Sequence, residues 1–536
     1  MPENRVWPNL EGLWAKISKE ARLGFLSAMA MGFVAHLFVF SNLLINHDGV
    51  VSLRTANEHI TSGRWSLGFF SQFSWCYEMP VVIALLTVFA LACTAGITVA
   101  VLGIHSRLCI VLTAGFLVAF PSVCCVFPYL YTADAYFFAL LLNAGGVYAG
   151  KRWRFGWVLS AVLIALGTGI YQSFVCYAVG LFLLDCLVLL LEGEALGSLL
   201  FRGLRYIAAS AGGLVLYRGV LRALLAVNRQ ELSNYRNMSQ ALNSGAMDYV
   251  RALPETYRSF LGFFWNSAFL TPEMQGVQRA LLGFAGGCAL FLLIRRKIYR
   301  RPFRLALACL GAGLAPVALN LICVIAAGQT ETNLLMEYSF VLVFVFVLKL
   351  LEMAAQELSA LCAGLGKEKA DRRKTGWLWQ APMSAALALC GILLWNDFCL
   401  TNAGYLRVQL NYENSYALAN RILTRLEAME EYTPDTPIVL AGFGKDTQGG
   451  WVPFPQLEEF PGMHTSLVNQ YCGTPFLRAF LGGQKRCASL EQRREIMESG
   501  VLEEMSVYPA QDSIRVYQGV ILVKLDEKWD LIHYGG

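Results

Sequence analysis

Long apolar runs alternate with short polar connections over the first four hundred residues. Runs of about 20 mostly apolar residues, the length a spanning helix needs, occupy 23–45, 79–103, 108–127, 134–150, 155–171, 172–191, 206–227, 279–294, 304–326, 336–352 and 382–401. They predict about 11 transmembrane helices, with the shortest linker between the 155–171 and 172–191 pair. The first run is too long for a signal-peptide core and no small-residue cleavage site follows it, so it reads as a retained span. Residues 8–22 have the pattern of a short amphipathic helix lying on a membrane surface. After 402 the pattern changes: 402–432 keeps helical periodicity, 436–443 reads as a buried strand, and 512–527 alternates like a hairpin. The expected fold is an α-helical polytopic membrane protein followed by a small α/β domain.

Charge gives this pattern a direction. Alternate connections are basic, as in "KRWR" (151–154), "FRGLR" (201–205), "RRKIYRRPFR" (295–304) and "KEKADRRK" (367–374). Those between them, such as "PYLYTAD" (128–134) and "GTGIYQS" (167–173), hold no Lys or Arg. Lys and Arg concentrate in cytoplasmic loops, so the N-terminus is expected inside. Residues 1–22 then form a cytoplasmic segment and 23–401 the multi-span domain. Loops 46–78 and 228–278 and the α/β domain, 402–536, fall outside. Within the second loop, 245–265 interleaves aromatics and Arg as a helix resting on headgroups would.

Composition adds little to the fold but excludes some functions. The chain of 536 residues is 56% hydrophobic and 15% charged, against about 25% charged in soluble domains. A net charge of +5 gives no reason to expect nucleic acid; the partners are membrane lipid and whatever the outer face binds. Most of the 15 Cys stand singly in apolar runs without ligand spacing, so no metal site is expected. Cys472 and Cys487, in the outer domain, fit a disulfide or two packed thiols equally.

The chemistry-bearing residues gather on the outer side. Asp48 stands in "NHDG" just past the first span, and Asp134 in "YLYTADAYFF" at the start of the fourth. Each alone reads as a helix cap. Together, flanked by Arg54, Arg64, Tyr129, Tyr131 and Tyr136, they form a candidate site. The first outer loop also supplies His47, Glu58, His59, Trp65 and Trp75. A hydroxyl attacking a sugar at its anomeric carbon needs a carboxylate to take the proton. A leaving phosphate needs cations, and Arg matches phosphate through its forked donors. A lipid-linked sugar donor would explain a site at the membrane boundary. Arg218 lies inside the seventh run, where a charge is costly and usually faces a cavity or partner, and is a candidate phosphate ligand. Glu78, Glu331 and Glu337 read as caps or anchors, or as further walls of the site.

An acid after the first span, "GRW" (63–65), "YLYTADAYFF" and "GTGIYQS" together resemble the bacterial Gtr-type O-antigen glucosyltransferases, type II, of the GT-C class. The resemblance covers roughly residues 20–350. It implies a GT-C-like fold in a bacterial cell membrane and transfer of a hexose, glucose in that family, from a polyprenyl-phosphate donor. The acceptor would be a surface glycan or lipid-linked glycan, with inversion at the anomeric carbon. Asp48 becomes the general base and Asp134 a second acid that binds acceptor or positions the loop. Arg64 becomes a phosphate or sugar contact, and Tyr171 and Gln172 line the cavity. The family often has two adjacent acids in the first loop; here His47 precedes Asp48 and Gly49 follows it. One carboxylate beside a His is a poor Mg²⁺ or Mn²⁺ site, so metal-independent chemistry is expected, with no cofactor.

Two other readings share the polytopic body. A flippase or exporter of lipid-linked saccharides would carry ionisable residues along a path through several spans, whereas here Arg218 and Asp185 are the main ones. A glycan polymerase or ligase would share the outer-face site and differ in donor. No phosphate-binding loop or dinucleotide-binding fingerprint occurs in the sequence.

Overall fold

The structure is a computed structural model and describes residues 10–51, 59–233, 245–326, 332–365, 369–443, 455–482 and 486–532. Helices dominate, because a backbone in an apolar layer must satisfy its own N–H and C=O groups. In chain order they are α1 (Leu10–Lys16), α2 (Lys19–Ser41), α3 (His47–Val51), α4 (Pro80–Leu102), α5 (Arg107–Ala119), α6 (Leu130–Arg152), α7 (Gly156–Ile170) and α8 (Val175–Glu192). There follow α9 (Leu196–Asn228), α10 (Leu253–Trp265), α11 (Pro272–Arg295), α12 (Pro302–Leu319), α13 (Val341–Leu365) and α14 (Lys369–Glu427).

Among the described residues, nine helical stretches are long and apolar enough to cross a membrane. The expected runs 108–127 and 134–150 fall in one nearly continuous stretch, Arg107–Arg152. It is interrupted where Phe120 turns extended before Pro121, the conformation proline imposes on its predecessor. The run 155–171 gives α7, only 15 residues long. It ends because Tyr171 is extended (φ −148°, ψ 113°) and a single 3₁₀ turn, Gln172–Phe174, leads into α8.

Small residues set the helix packing. On α2 the buried stripe Ala21, Gly24, Ala28, Gly32 and Ala35 faces α4. A Cβ at Gly24 would meet Val99 at 3.1 Å, and one at Gly96 the Ala21 carbonyl at 2.9 Å. Such stripes let helix backbones approach closely in a membrane, where dispersion rather than the hydrophobic effect holds helices together.

The bundle has two chemically distinct ends. At one, buried Asp185 accepts from Lys151 Nζ and the Tyr206 hydroxyl, both at 2.6 Å. Nearby, Lys349 Nζ donates to the Gly103 carbonyl at 2.7 Å, Glu352 takes the His105 and Ser106 N–H groups, and Arg296 pairs with Glu357 at 2.8 Å. The basic connections at 151–154, 201–205 and 295–304 therefore share this end. Asp185, an exception to the outer clustering of charge, is explained by these partners. The opposite end carries the cavity described below.

After α14 the chain forms β1 (Ile438–Ala441), α15 (Gly473–Phe480), α16 (Leu490–Ser499), β2 (Ile514–Tyr517) and β3 (Val520–Lys524). Strand order is β1-β3-β2, with β1 parallel and β2 antiparallel to the fully buried β3. The β2–β3 turn, Gln518-Gly519, has φ of 48° and 76°, the paired positive values of a tight two-residue hairpin. The expected boundary at 402 has no counterpart in the backbone: α14 runs unbroken from 369 to 427. Ile45 and Val50, at the first loop, are buried in one apolar cluster with Leu418, Leu467, Cys472 and Ile521. The last hundred residues thus pack directly on the first loop.

Candidate active site

A cavity of about 460 Å³ opens at the end of the bundle away from the basic cluster. Asp48 reaches it from α3, whose start is fixed by Asn46: its side-chain oxygen accepts the Gly49 N–H at 2.9 Å. Asn46 is therefore the cap, which leaves the Asp48 carboxylate free of that duty. That carboxylate is 31% exposed, lies 3.8 Å from His47 Nε2, and accepts the Tyr471 hydroxyl at 3.1 Å. Behind α3 the Glu78 carboxylate is shielded from solvent beside the Tyr131 backbone, and burial raises its pKa to about 8. A Cβ at Gly49 would overlap that carboxylate and crowd Ile45.

Arg64 enters from the other side. Its Nη1 donates to the Tyr136 hydroxyl at 3.0 Å, and its guanidinium lies 5.9 and 5.4 Å from the rings of Tyr136 and Tyr171. Those rings stack with centroids 4.3 Å apart. Burial, with Arg64 adding to it, lowers the pKa of nearby His59 to about 4, which leaves that imidazole neutral near pH 7. The "GRW" and "GTGIYQS" stretches are locked together. Ser66 N–H donates to the Gly169 carbonyl at 3.0 Å, and Gln172 Nε2 to the Ser62 carbonyl at 2.9 Å. Tyr217 donates to the Gly63 carbonyl at 3.0 Å.

Of the residues expected at the site, Asp48, Arg64, Tyr129, Tyr131, Tyr171 and Gln172 line this cavity. Arg54 and Glu58 lie outside the described residues, as does Glu331. Three others are elsewhere. Trp65 backs the site: a Cβ at Gly169 would meet its indole at 2.6 Å, and it packs on Tyr217 and Leu221. Arg218 follows Tyr217 on α9 and is half-buried, but it does not line the cavity. Asp134 is buried on α6, where it accepts the Ala135 N–H at 2.8 Å beside Ser74. Its partner outside α6 is Ser74 of the first loop. Glu337 accepts from Thr332 at 3.1 Å and Ser259 at 3.3 Å and ties α10 to the segment carrying Asn333 and Met336. Among the described residues no group of three His, Cys, Asp or Glu side chains gathers as a metal-ligand set. Cys472 and Cys487 are free thiols, Cys472 buried against the Asn469 amide.

The family model described as glucosyl transferase GtrII matches residues 37–349, more than half of the chain. The chain belongs to the GtrII glucosyl transferase family. It is thereby a glucosyltransferase of a multi-pass membrane type. Comparison with curated proteins and with solved structures returns no match.

The GtrII match contains α3, Arg64, the tyrosines and Gln172, but it ends before one wall of the cavity. Pro461, Gly462, His464 and Thr465 line that wall, and Tyr471 stands behind it. A Cβ at Gly462 (φ 78°) would meet Asn46 at 2.8 Å and Tyr129 at 3.0 Å, so this wall is pressed against the first loop. Burial holds the His464 pKa below the usual imidazole range, with Arg407 contributing. Sequence reasoning missed these residues. A single His and a Tyr in an irregular stretch have no periodic or motif signal; the one hint was that the segment falls on the same side as Asp48.

Proposed function

We propose that this GtrII protein transfers a hexose, glucose, from a polyprenyl-phosphate donor to a surface glycan or lipid-linked glycan on the outer face of a bacterial cell membrane. The observation that carries the reading is the Asp48 carboxylate opening into a cavity that Arg64 also lines. About 460 Å³ is within the usual range for small-ligand sites, roughly 300–1,000 Å³. In this reading Asp48 takes the proton of the acceptor hydroxyl as its oxygen bonds to the anomeric carbon. The carbon–oxygen bond to phosphate breaks on the opposite face, so configuration inverts. Arg64 meets the charge developing on the leaving phosphate, and the Tyr136–Tyr171 stack offers a flat face to the sugar ring. The apolar side of the cavity, with Leu214, Ile322 and Ile325, suits the first isoprene units. Metal is not required in this reading, because proton transfer and charge neutralisation are both assigned to side chains. The basic cluster at the far end supports a cytoplasmic placement of that end.

The test is sugar transfer by purified protein in lipid, from polyprenyl-phosphate glucose to a surface-glycan acceptor, with and without EDTA. Native protein transfers in both conditions. Asp48→Asn loses at least about a hundredfold in kcat, the lower range for removal of a general base. Transfer that survives Asp48→Asn overturns the assignment of the base.

A further inference from the structure

The Tyr471 hydroxyl reaches Asp48 Oδ1 across 423 residues of chain. Its root is rigid. Asn469, itself buried, accepts the backbone N–H groups of Tyr471 and Cys472 at 2.7 and 2.8 Å, and its amide donates to the Ser466 carbonyl. The base end is less constrained, since Asp48 rides on a helix of five residues. His47 closes the same corner, its ring 6.5 Å from that of Tyr129 and 6.1 Å from that of Tyr471. An exposed Asp carboxylate rotates freely about its last torsion. A hydrogen bond to one oxygen removes that freedom and leaves Oδ2 for the substrate, and such fixed geometry contributes much of a catalytic group's effectiveness.

We propose that Tyr471 is a positioning residue for Asp48, so that the segment after α14, beyond the GtrII match, is a working part of the transfer site rather than a cover over it. This rests on the reading of Asp48 as the base. The hydroxyl acts through the carboxylate and does not touch the sugar.

Tyr471→Phe tests it, because the ring against His47 stays and the hydroxyl alone goes. Loss of a hydrogen bond to a charged group predicts a fall in kcat of about tenfold, with the donor KM and the thermal midpoint unchanged. Added to Asp48→Asn, it costs nothing further. A merely structural Tyr471 would move KM and the midpoint together and would add its loss to that of Asp48→Asn. A second readout needs no turnover: carbodiimide labelling of Asp48, followed by mass spectrometry, becomes several-fold faster in Tyr471→Phe. Transfer surviving Asp48→Asn removes the base and this inference with it. Transfer lost in Asp48→Asn but kept at full kcat in Tyr471→Phe overturns this inference alone. Labelling that does not change in Tyr471→Phe overturns the tether even where no donor is turned over.

Discussion

Arg64 combines a hydrogen bond to Tyr136 with contact to two stacked rings, and only a planar, delocalised cation does both while still offering donors to a phosphate. Lysine keeps the charge and loses the plane. Arg64→Lys is expected to lower kcat/KM for the donor by about ten- to a hundredfold, the scale of a lost charge-assisted pair, as measured by steady-state transfer against donor concentration. Glu78 yields a stability prediction of definite sign. Its folded pKa of about 8 lies above the ordinary 4.5, so the fold binds this proton more tightly than the unfolded chain does. The resulting stability is complete below pH 4.5 and is lost as pH rises to about 8. The native thermal midpoint should fall across that window, and Glu78→Gln should flatten the fall. Asp48 and Arg64 were legible because each stands in a short motif beside a span end. Asp134 looked equivalent in sequence, yet its place on α6 turns it towards Ser74, and a linear motif does not carry that rotation.

At the scale of elements, glycines decide whether the first loop and α7 can meet. Gly169 admits the Trp65 ring to within 2.6 Å of where a Cβ would stand. Gly169→Ala therefore forces either the indole or α7 aside. The expected cost is about 1–3 kcal/mol, as for overpacking in a tight core, read as a lowered unfolding midpoint in detergent. Transfer falls with it, because Gly63 and Ser62 hold Tyr217 and Gln172 in place. Most helices were legible from hydropathy, since a run long enough to span leaves its backbone few alternatives. Boundaries were uneven. The break at Tyr171 falls where the runs 155–171 and 172–191 meet in the sequence reading. At 402 hydropathy falls although helical periodicity continues, and the backbone follows the periodicity.

In the whole molecule, α14 links the two ends. Its 59 residues at 1.5 Å each extend about 88 Å, and its C-terminal half meets the segment carrying the cavity wall residue by residue. Arg407 pairs with Glu458 at 3.0 Å, Asn411 Nδ2 donates to the Thr465 carbonyl at 2.8 Å, and Ser415 Oγ accepts the Leu467 N–H at 3.0 Å. One residue inserted between Leu400 and Thr401 rotates this half by about 100° and takes all three groups from their partners. Such a variant should insert in the membrane at native levels, measured by membrane fractionation, and show no detectable transfer. That wall was the least legible part of the site in the sequence, because its place depends on the phase of α14 and not on any motif of its own.

The 423 residues between Asp48 and Tyr471 also separate them in time. At roughly 5–20 residues per second, a ribosome finishes the first loop about 20 to 85 seconds before it reaches the tyrosine. Throughout that interval the nascent chain holds its acid with one side of the cavity still unmade. A polypeptide released early, with every span in place, would be a membrane protein with half a chamber.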